Sequence, residues 1–177
     1  MSATMSNLYT FLDNLKDPAP LKELADLVRQ VAIPWDELTS YVRFSRQGYT
    51  RNLVRAGPWY QVLILCWRNG QRSPIHDHVG SHCVVRVLRG VLTETRFEFA
   101  ANDHVKAVAS CDHPPGSVLA GKDRDLHQIS NLDAGMTDLV TLHVYSPPLL
   151  QMGTYSIMDA SRGSELLMME FCDAAGI

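Results

Sequence analysis

With 177 residues, 46% hydrophobic and 20% charged, the chain has the mass and composition of one globular domain with a buried core. A formal net charge of -3 gives no electrostatic reason to expect nucleic acid or an anionic membrane as partner. The most apolar stretch, Val62 to Trp67, falls far short of a membrane span.

The first residues, MSATMSNLYTFLDN, lack a basic region followed by an apolar one, so no secretory signal is expected. Ser6 is placed to cap a helix carrying Leu8, Phe11, Leu12 and Leu15 at helical spacing. Pro18 and Pro20 break the chain. Leu21, Leu24, Val28 and Val31 form a second stripe, and Pro34 suits the start of a third helix, Trp35 to Val42. From Trp59 the texture changes. Strands are predicted at Trp59 to Trp67, Val84 to Leu88, Thr93 to Phe99, Val105 to Ser110, Ser117 to Ala120, Leu126 to Ile129 and Leu139 to Tyr145. Met152 to Ile157 and Leu166 to Phe171 read as edge strands. Many short strands punctuated by Gly, Pro, Asn and Asp predict a sandwich or barrel, with the helices packed outside it. Four cysteines, Cys66, Cys83, Cys111 and Cys172, form no CxxC pair. They are expected to be reduced thiols in the cytoplasm, with no structural zinc.

The chemistry concentrates at His76-Asp77-His78. Two histidines separated by one residue on a strand point their imidazoles the same way, and a third from a distant strand completes a metal-binding set. Imidazole suits zinc, copper, iron or nickel, so spacing alone leaves the metal open. A lone histidine would read as an ordinary core or surface residue. The wider spacing changes that reading. Five residues separate Gly70 from His76, four separate His78 from Cys83, and six separate Cys83 from Gly90. This is similar to the first signature of the cupin superfamily, with a cysteine where most cupins carry a metal-binding glutamate. His127, followed four residues later by Asn131, resembles the end of the second signature. Pro114-Pro115-Gly116 lies upstream of it at a longer gap than usual.

Within that superfamily the chain resembles cysteine dioxygenase. The resemblance rests on Tyr49-Thr50-Arg51-Asn52-Leu53-Val54, Leu65-Cys66-Trp67, Ile75 to His78, Ser81-His82-Cys83 and Leu142 to Pro148. It implies a mainly β cupin barrel, a jelly-roll-like sandwich with N-terminal α-helices packed outside. Residues 1–177 would form a single cupin domain: a helical part at 1–48, the metal-binding barrel core at 49–148, and C-terminal strands and tail at 149–177. It implies Fe(2+) held by His76, His78 and His127, and L-cysteine and O2 as substrates. The product would be cysteine sulfinic acid, in cysteine catabolism by a monomeric cytoplasmic enzyme. Arg51 would grip the substrate carboxylate, with Tyr49 and Trp67 beside it. Tyr145 would stand beside the iron, positioned by His143 and joined to Cys83 by a thioether bond. Ser146-Pro147 would be cis.

Two features qualify this picture. Thr141, His143 and Tyr145 alternate with Val140, Leu142 and Val144, and pattern alone favours the polar trio facing solvent. The resemblance turns it toward the metal instead. Cys66, Cys111 and Cys172 read as packing residues, and His82, His104 and His113 as non-ligands, with His82 close enough to Cys83 to shape the pocket. Other readings stay open: a dioxygenase for 3-mercaptopropionate, for which Gln47 or Gln61 would replace the arginine; a cupin that binds metal without turnover; and a zinc hydrolase. The last lacks a general-base carboxylate at a recognisable motif, since Asp77 is expected to point away from its neighbours.

Overall fold

A computed structural model describes residues 3–101, 103–121, 125–167 and 170–171. In chain order the elements are β1 (Ala3–Thr4), α1 (Met5–Asp13), α2 (Leu21–Gln30), β2 (Val31–Ala32), α3 (Trp35–Leu38) and a 3-10 turn, Thr39–Tyr41. Then come β3 (Thr50–Gly57), β4 (Tyr60–Trp67), β5 (Ile75–His76), β6 (His82–Arg89), β7 (Leu92–Phe99), β8 (Val105–His113) and β9 (Val118–Gly121). The chain finishes with β10 (His127–Ser130), β11 (Leu139–Ser146), β12 (Gln151–Tyr155), β13 (Arg162–Leu166) and β14 (Glu170–Phe171).

Two six-stranded sheets face each other, with orders β13-β12-β5-β10-β7-β8 and β14-β3-β4-β11-β6-β9. The fold is a mainly β cupin sandwich, as expected. Every residue of β4 and of β11 is buried, because the second sheet is covered on both faces. Its outer face presents Val62, Ile64, Cys66, Val84, Val140, Leu142 and Val144 to Leu8, Leu12, Leu24, Val28 and Leu38 of the helical layer. Its inner face, with Leu63, Leu65, Trp67, Val85 and Val87, meets Ile129 and Met152 of the first sheet. The helices are therefore packed outside, as predicted, and they close one of two interiors.

Polar ties fix that layer. Arg86 on β6 donates through Nη1 to the Val28 and Val31 carbonyls, at 2.9 and 2.6 Å, at the C-terminal end of α2. A guanidinium there meets acceptors that the helix itself cannot satisfy. The Ala19 amide donates to Ser146 Oγ at 2.8 Å.

Several expectations are corrected. The cap of α1 is Thr4, not Ser6: Thr4 Oγ1 accepts from the Asn7 amide while Asn7 Oδ1 accepts from the Thr4 amide. This reciprocal pair uses a short asparagine where the familiar pattern has Glu or Gln. Pro34 precedes the third helix as its cap, and that helix tightens to 3-10 after Leu38 instead of running evenly to Val42. Strand β3 lies where no strand was predicted, and β13 was also unforeseen. Gln151–Tyr155 is an interior strand between β13 and β5, not an edge, whereas β13 and β14 do lie at sheet edges. Among the described cysteines, Cys66, Cys83 and Cys111 form no disulfide. Cys111 is exposed on β8 and packs no core, and Cys172 lies outside the described residues.

Candidate metal centre

Pairing between β10 and β5 sets His127 directly opposite His76. Strand β5 ends at His76, so His78 sits just beyond it, yet the alternation survives the strand end. Asp77 turns away, accepting from the Gly153 amide at 3.0 Å and the Tyr155 hydroxyl at 2.6 Å. The three imidazoles converge with ring centroids 4.7 to 5.3 Å apart, all buried. One ligand atom from each lies within 4.8 Å of the others. The flanking glycines of the first signature, Gly70 and Gly90, have φ of +87° and +76°. A side chain at Gly90 would also meet the Asp138 carbonyl at 2.7 Å, so both turns require glycine. Asn131 is structural: its amide holds the Trp67 and Thr137 carbonyls at 3.0 and 2.9 Å.

The tautomers favour a metal. His76 Nδ1 lies 3.0 Å from the Pro74 carbonyl and His127 Nδ1 lies 2.8 Å from Glu94 Oε1. Each neighbour can only accept, so each Nδ1 carries a hydrogen and Nε2 is the nitrogen left to meet a metal. His127 Nε2 is buried with no hydrogen-bond partner, a costly arrangement unless a cation occupies the convergence point. Burial, and then the neighbouring His127 and His78, pull the His76 pKa well below the usual imidazole value, so the ring is a neutral donor. A three-imidazole set fits a transition metal.

Around the histidines the cavity is lined by Tyr49, Arg51, Trp67, Cys83, His143 and Tyr145, so all nine residues singled out in the sequence meet at one place. The cavity is tight, with a volume of about 10 Å³. Leu65, Ser73, Val85, Ile129 and Met152 complete the lining and were not foreseen. Leu65, Val85, Ile129 and Met152 had a signal, their places in predicted strands, but which of them line the cavity needed the sheet register; Ser73 had none. Gln47 and Gln61 do not line the cavity. His82 does not line it either: its Nδ1 lies 2.9 Å from the Ala19 carbonyl, pinning the chain between α1 and α2.

Trp67 stacks on Tyr49 with centroids 4.1 Å apart and donates through Nε1 to Thr141 Oγ1 at 3.2 Å. Thr141 Oγ1 lies 2.9 Å from His143 Nε2, and His143 Nδ1 lies 3.1 Å from the Tyr145 hydroxyl. The polar trio thus faces the cavity and the valines face the helices. The indole can only donate, so the Thr141 hydrogen is free to go to His143 Nε2. His143 Nδ1–H then donates to the Tyr145 oxygen, leaving the phenolic hydrogen for the cavity. Burial, and then Arg51, keep His143 neutral, and burial holds the Tyr145 phenol far above its ordinary pKa. Tyr145 is the direct cross-strand partner of Cys83, whose thiol burial pushes up to about 12. Arg51 is also buried; its Cζ lies 5.5 Å from the Tyr145 ring centroid, and its Nε and Nη2 have no hydrogen-bond partner. The Ser146–Pro147 bond is cis.

Comparison with known proteins agrees with this geometry. The family model for cysteine dioxygenase type I matches residues 3–158. Human cysteine dioxygenase type 1 is 32% identical over 151 residues, covering 82% of this chain and 75% of the human one. Among solved structures, a Klebsiella pneumoniae protein with a double-stranded beta-helix domain superimposes with a TM-score of 0.54 at 17% identity, covering 76% of this chain and 89% of that one. A Thermus thermophilus protein gives 0.52 at 19% identity, over 62% of this chain and 93% of that one. These two likenesses speak for the fold.

Proposed function

The chain belongs to the cysteine dioxygenase type I family, and from that premise we propose that it oxidises L-cysteine with both atoms of O2 to cysteine sulfinic acid. The cofactor in this reading is Fe(2+), held by His76, His78 and His127. The observation that carries the reading is Arg51, a buried guanidinium with two unpartnered nitrogens in the cavity of the three histidines. An uncompensated buried cation is costly, and a carboxylate-bearing ligand removes that cost.

Ferrous iron, when bound, supplies open coordination positions and shares electrons between a thiolate and dioxygen. The chain's own residues do the rest. Arg51 presents a planar fork that takes a carboxylate bidentately, fixing one end of the amino acid. Tyr49 and Trp67, stacked, close the wall beside it, and Leu65, Val85, Ile129 and Met152 keep water out. Tyr145 stays protonated and directs its hydrogen into the cavity through the Trp67–Thr141–His143 chain. No outside reductant is needed, since the thiol plus one O2 accounts for every atom of the sulfinic acid.

Cross-strand pairing supports a Cys83–Tyr145 thioether bond. In forming it, the Sγ–H and one ring C–H break, an S–C bond forms, and two protons and two electrons pass to O2. The crosslink would pin the phenol and remove a competing thiol from the cavity.

The test is oxygen uptake by protein loaded with ferrous iron without air, measured in parallel with L-cysteine and 3-mercaptopropionate. Preferential uptake with L-cysteine and formation of its sulfinate is the expected result. Preference for the mercapto acid overturns the substrate assignment and keeps the chemistry. Bound iron with no uptake from either thiol overturns the dioxygenase reading.

A further inference from the structure

The carboxylate that most cupins place among the metal ligands is missing here, because Cys83 stands at that position, and no Asp or Glu among the described residues lines the three-histidine cavity. Three neutral imidazoles and the Arg51 cation would then surround a divalent ion with no opposing charge. One carboxylate stands immediately behind the ligands. Glu94 Oε1 lies 2.8 Å from His127 Nδ1.

The placement follows from the sheet register. On β7, Arg96 is opposite His127 and Glu94 opposite Ile129, so Glu94 is the diagonal neighbour of His127 on the same face. Alternation puts Leu92, Glu94 and Arg96 on the inner face, and Leu92 is fully buried in the core between the sheets. A glutamate at the next inward position breaks the apolar pattern of that face. Its side chain retains only 20% exposure, at the edge of a cleft that it shares with Arg96, Glu98, His113 and Asp125. His113 Nε2 lies 3.9 Å from its second oxygen, Oε2, too far for a hydrogen bond but near enough for attraction when that ring is charged.

We infer that Glu94 is a positioning residue for the metal centre, holding the Nδ1–H of His127 and supplying the countercharge that the ligand set itself lacks. The inference rests on the reading of His76, His78 and His127 as metal ligands. A histidine that donates its other N–H to a carboxylate is locked in one tautomer, aimed, and made a more basic ligand. Glu94 would do all three for His127, whose Nε2 points at the convergence point with no other partner. The negative charge one imidazole away also favours the higher oxidation state of a redox-active ion.

Two variants separate orientation from charge. Glu94→Gln keeps an acceptor for Nδ1–H and removes the charge; Glu94→Ala removes both. Metal-free wild type and both variants would be titrated with Co(II) against a competing chelator, and the iron-loaded proteins would be poised by redox titration. Affinity should fall by roughly 10- to 100-fold, most in Glu94→Ala, and the iron midpoint potential should rise in Glu94→Gln. A purely structural role would lower thermal stability of the metal-free variants without moving the potential of folded Glu94→Gln. Unchanged affinity in both variants with an unchanged potential overturns the inference. A wild type that binds no metal overturns it together with the three-histidine reading. A wild type that binds metal but oxidises no thiol breaks the proposed activity alone, and the ratio of affinities still decides for Glu94.

Discussion

The two faces of β11 are made from alternate residues of one eight-residue strand, and they do opposite work. Val140, Leu142 and Val144 face the helices in an interior held by dispersion and apolar burial, where shape and volume are what matter. Thr141, His143 and Tyr145 face the cavity, where every polar atom needs a partner because an unpaired one in a dry interior is costly. Trp67, Thr141, His143 and Tyr145 satisfy one another in sequence, so the polar face is a chain in which each link orients the next. Backbone pairing on both sides, with β4 and β6, holds the two faces in register. One strand thus anchors the helical layer and aims the phenol. Stability and chemistry are separated by the thickness of a sheet.

Substitutions on either side should therefore have separable effects. The largest is expected for His127→Ala, which should abolish iron binding and all thiol-dependent oxygen uptake; full iron occupancy measured by metal analysis would remove His127 from the ligand set. Next is Arg51→Ala, which should raise the KM for L-cysteine by at least roughly 30-fold, because truncating one partner of a buried charged pair costs about 2–5 kcal/mol. Iron content should stay near the wild-type value, and an unchanged KM would show that Arg51 does not hold the carboxylate. On the other face, Leu142→Ala should lower unfolding free energy by about 2–5 kcal/mol through lost burial and the cavity left behind. Its folded fraction should retain wild-type metal affinity and KM. A change in metal affinity there would mean that the two faces are coupled through the strand. The mildest change is Cys83→Ser. It should leave metal binding intact and slow turnover without abolishing it, while intact mass after turnover shows the loss of two hydrogens in wild type and none in the variant.

Residue spacing alone disclosed a good deal. Gly70, His76, His78 and Gly90 are legible from local geometry, through alternation along a strand and turns that only glycine takes at positive φ, whereas Cys83, His127 and Asn131 are legible through the resemblance to the cupin signatures. Strands β7 and β11 are legible from their period of two, and β4 from an unbroken run of aromatic and aliphatic residues. Strand β3 is not, because Thr50-Arg51-Asn52 is polar and only its pairing with β4 and β14 makes it a strand. Ser6 misled because its neighbour Thr4 has a reciprocal partner in Asn7 that no simple cap rule ranks first. Sequence also left open which face of β11 is the inner one. Alternation is symmetric, and it defines two faces without saying which meets water; the helical layer decides it by covering Val140, Leu142 and Val144. Glu94 belongs wholly to the tertiary level. It lies 33 residues from His127 in the chain, and only the β7–β10 register brings the carboxylate to the imidazole. The sequence by itself determined that His76 and His78 share a face, because that depends on side-chain type and local spacing. Tertiary structure decided what surrounds them, because the neighbours of a buried group are chosen by strand pairing and packing across the whole fold.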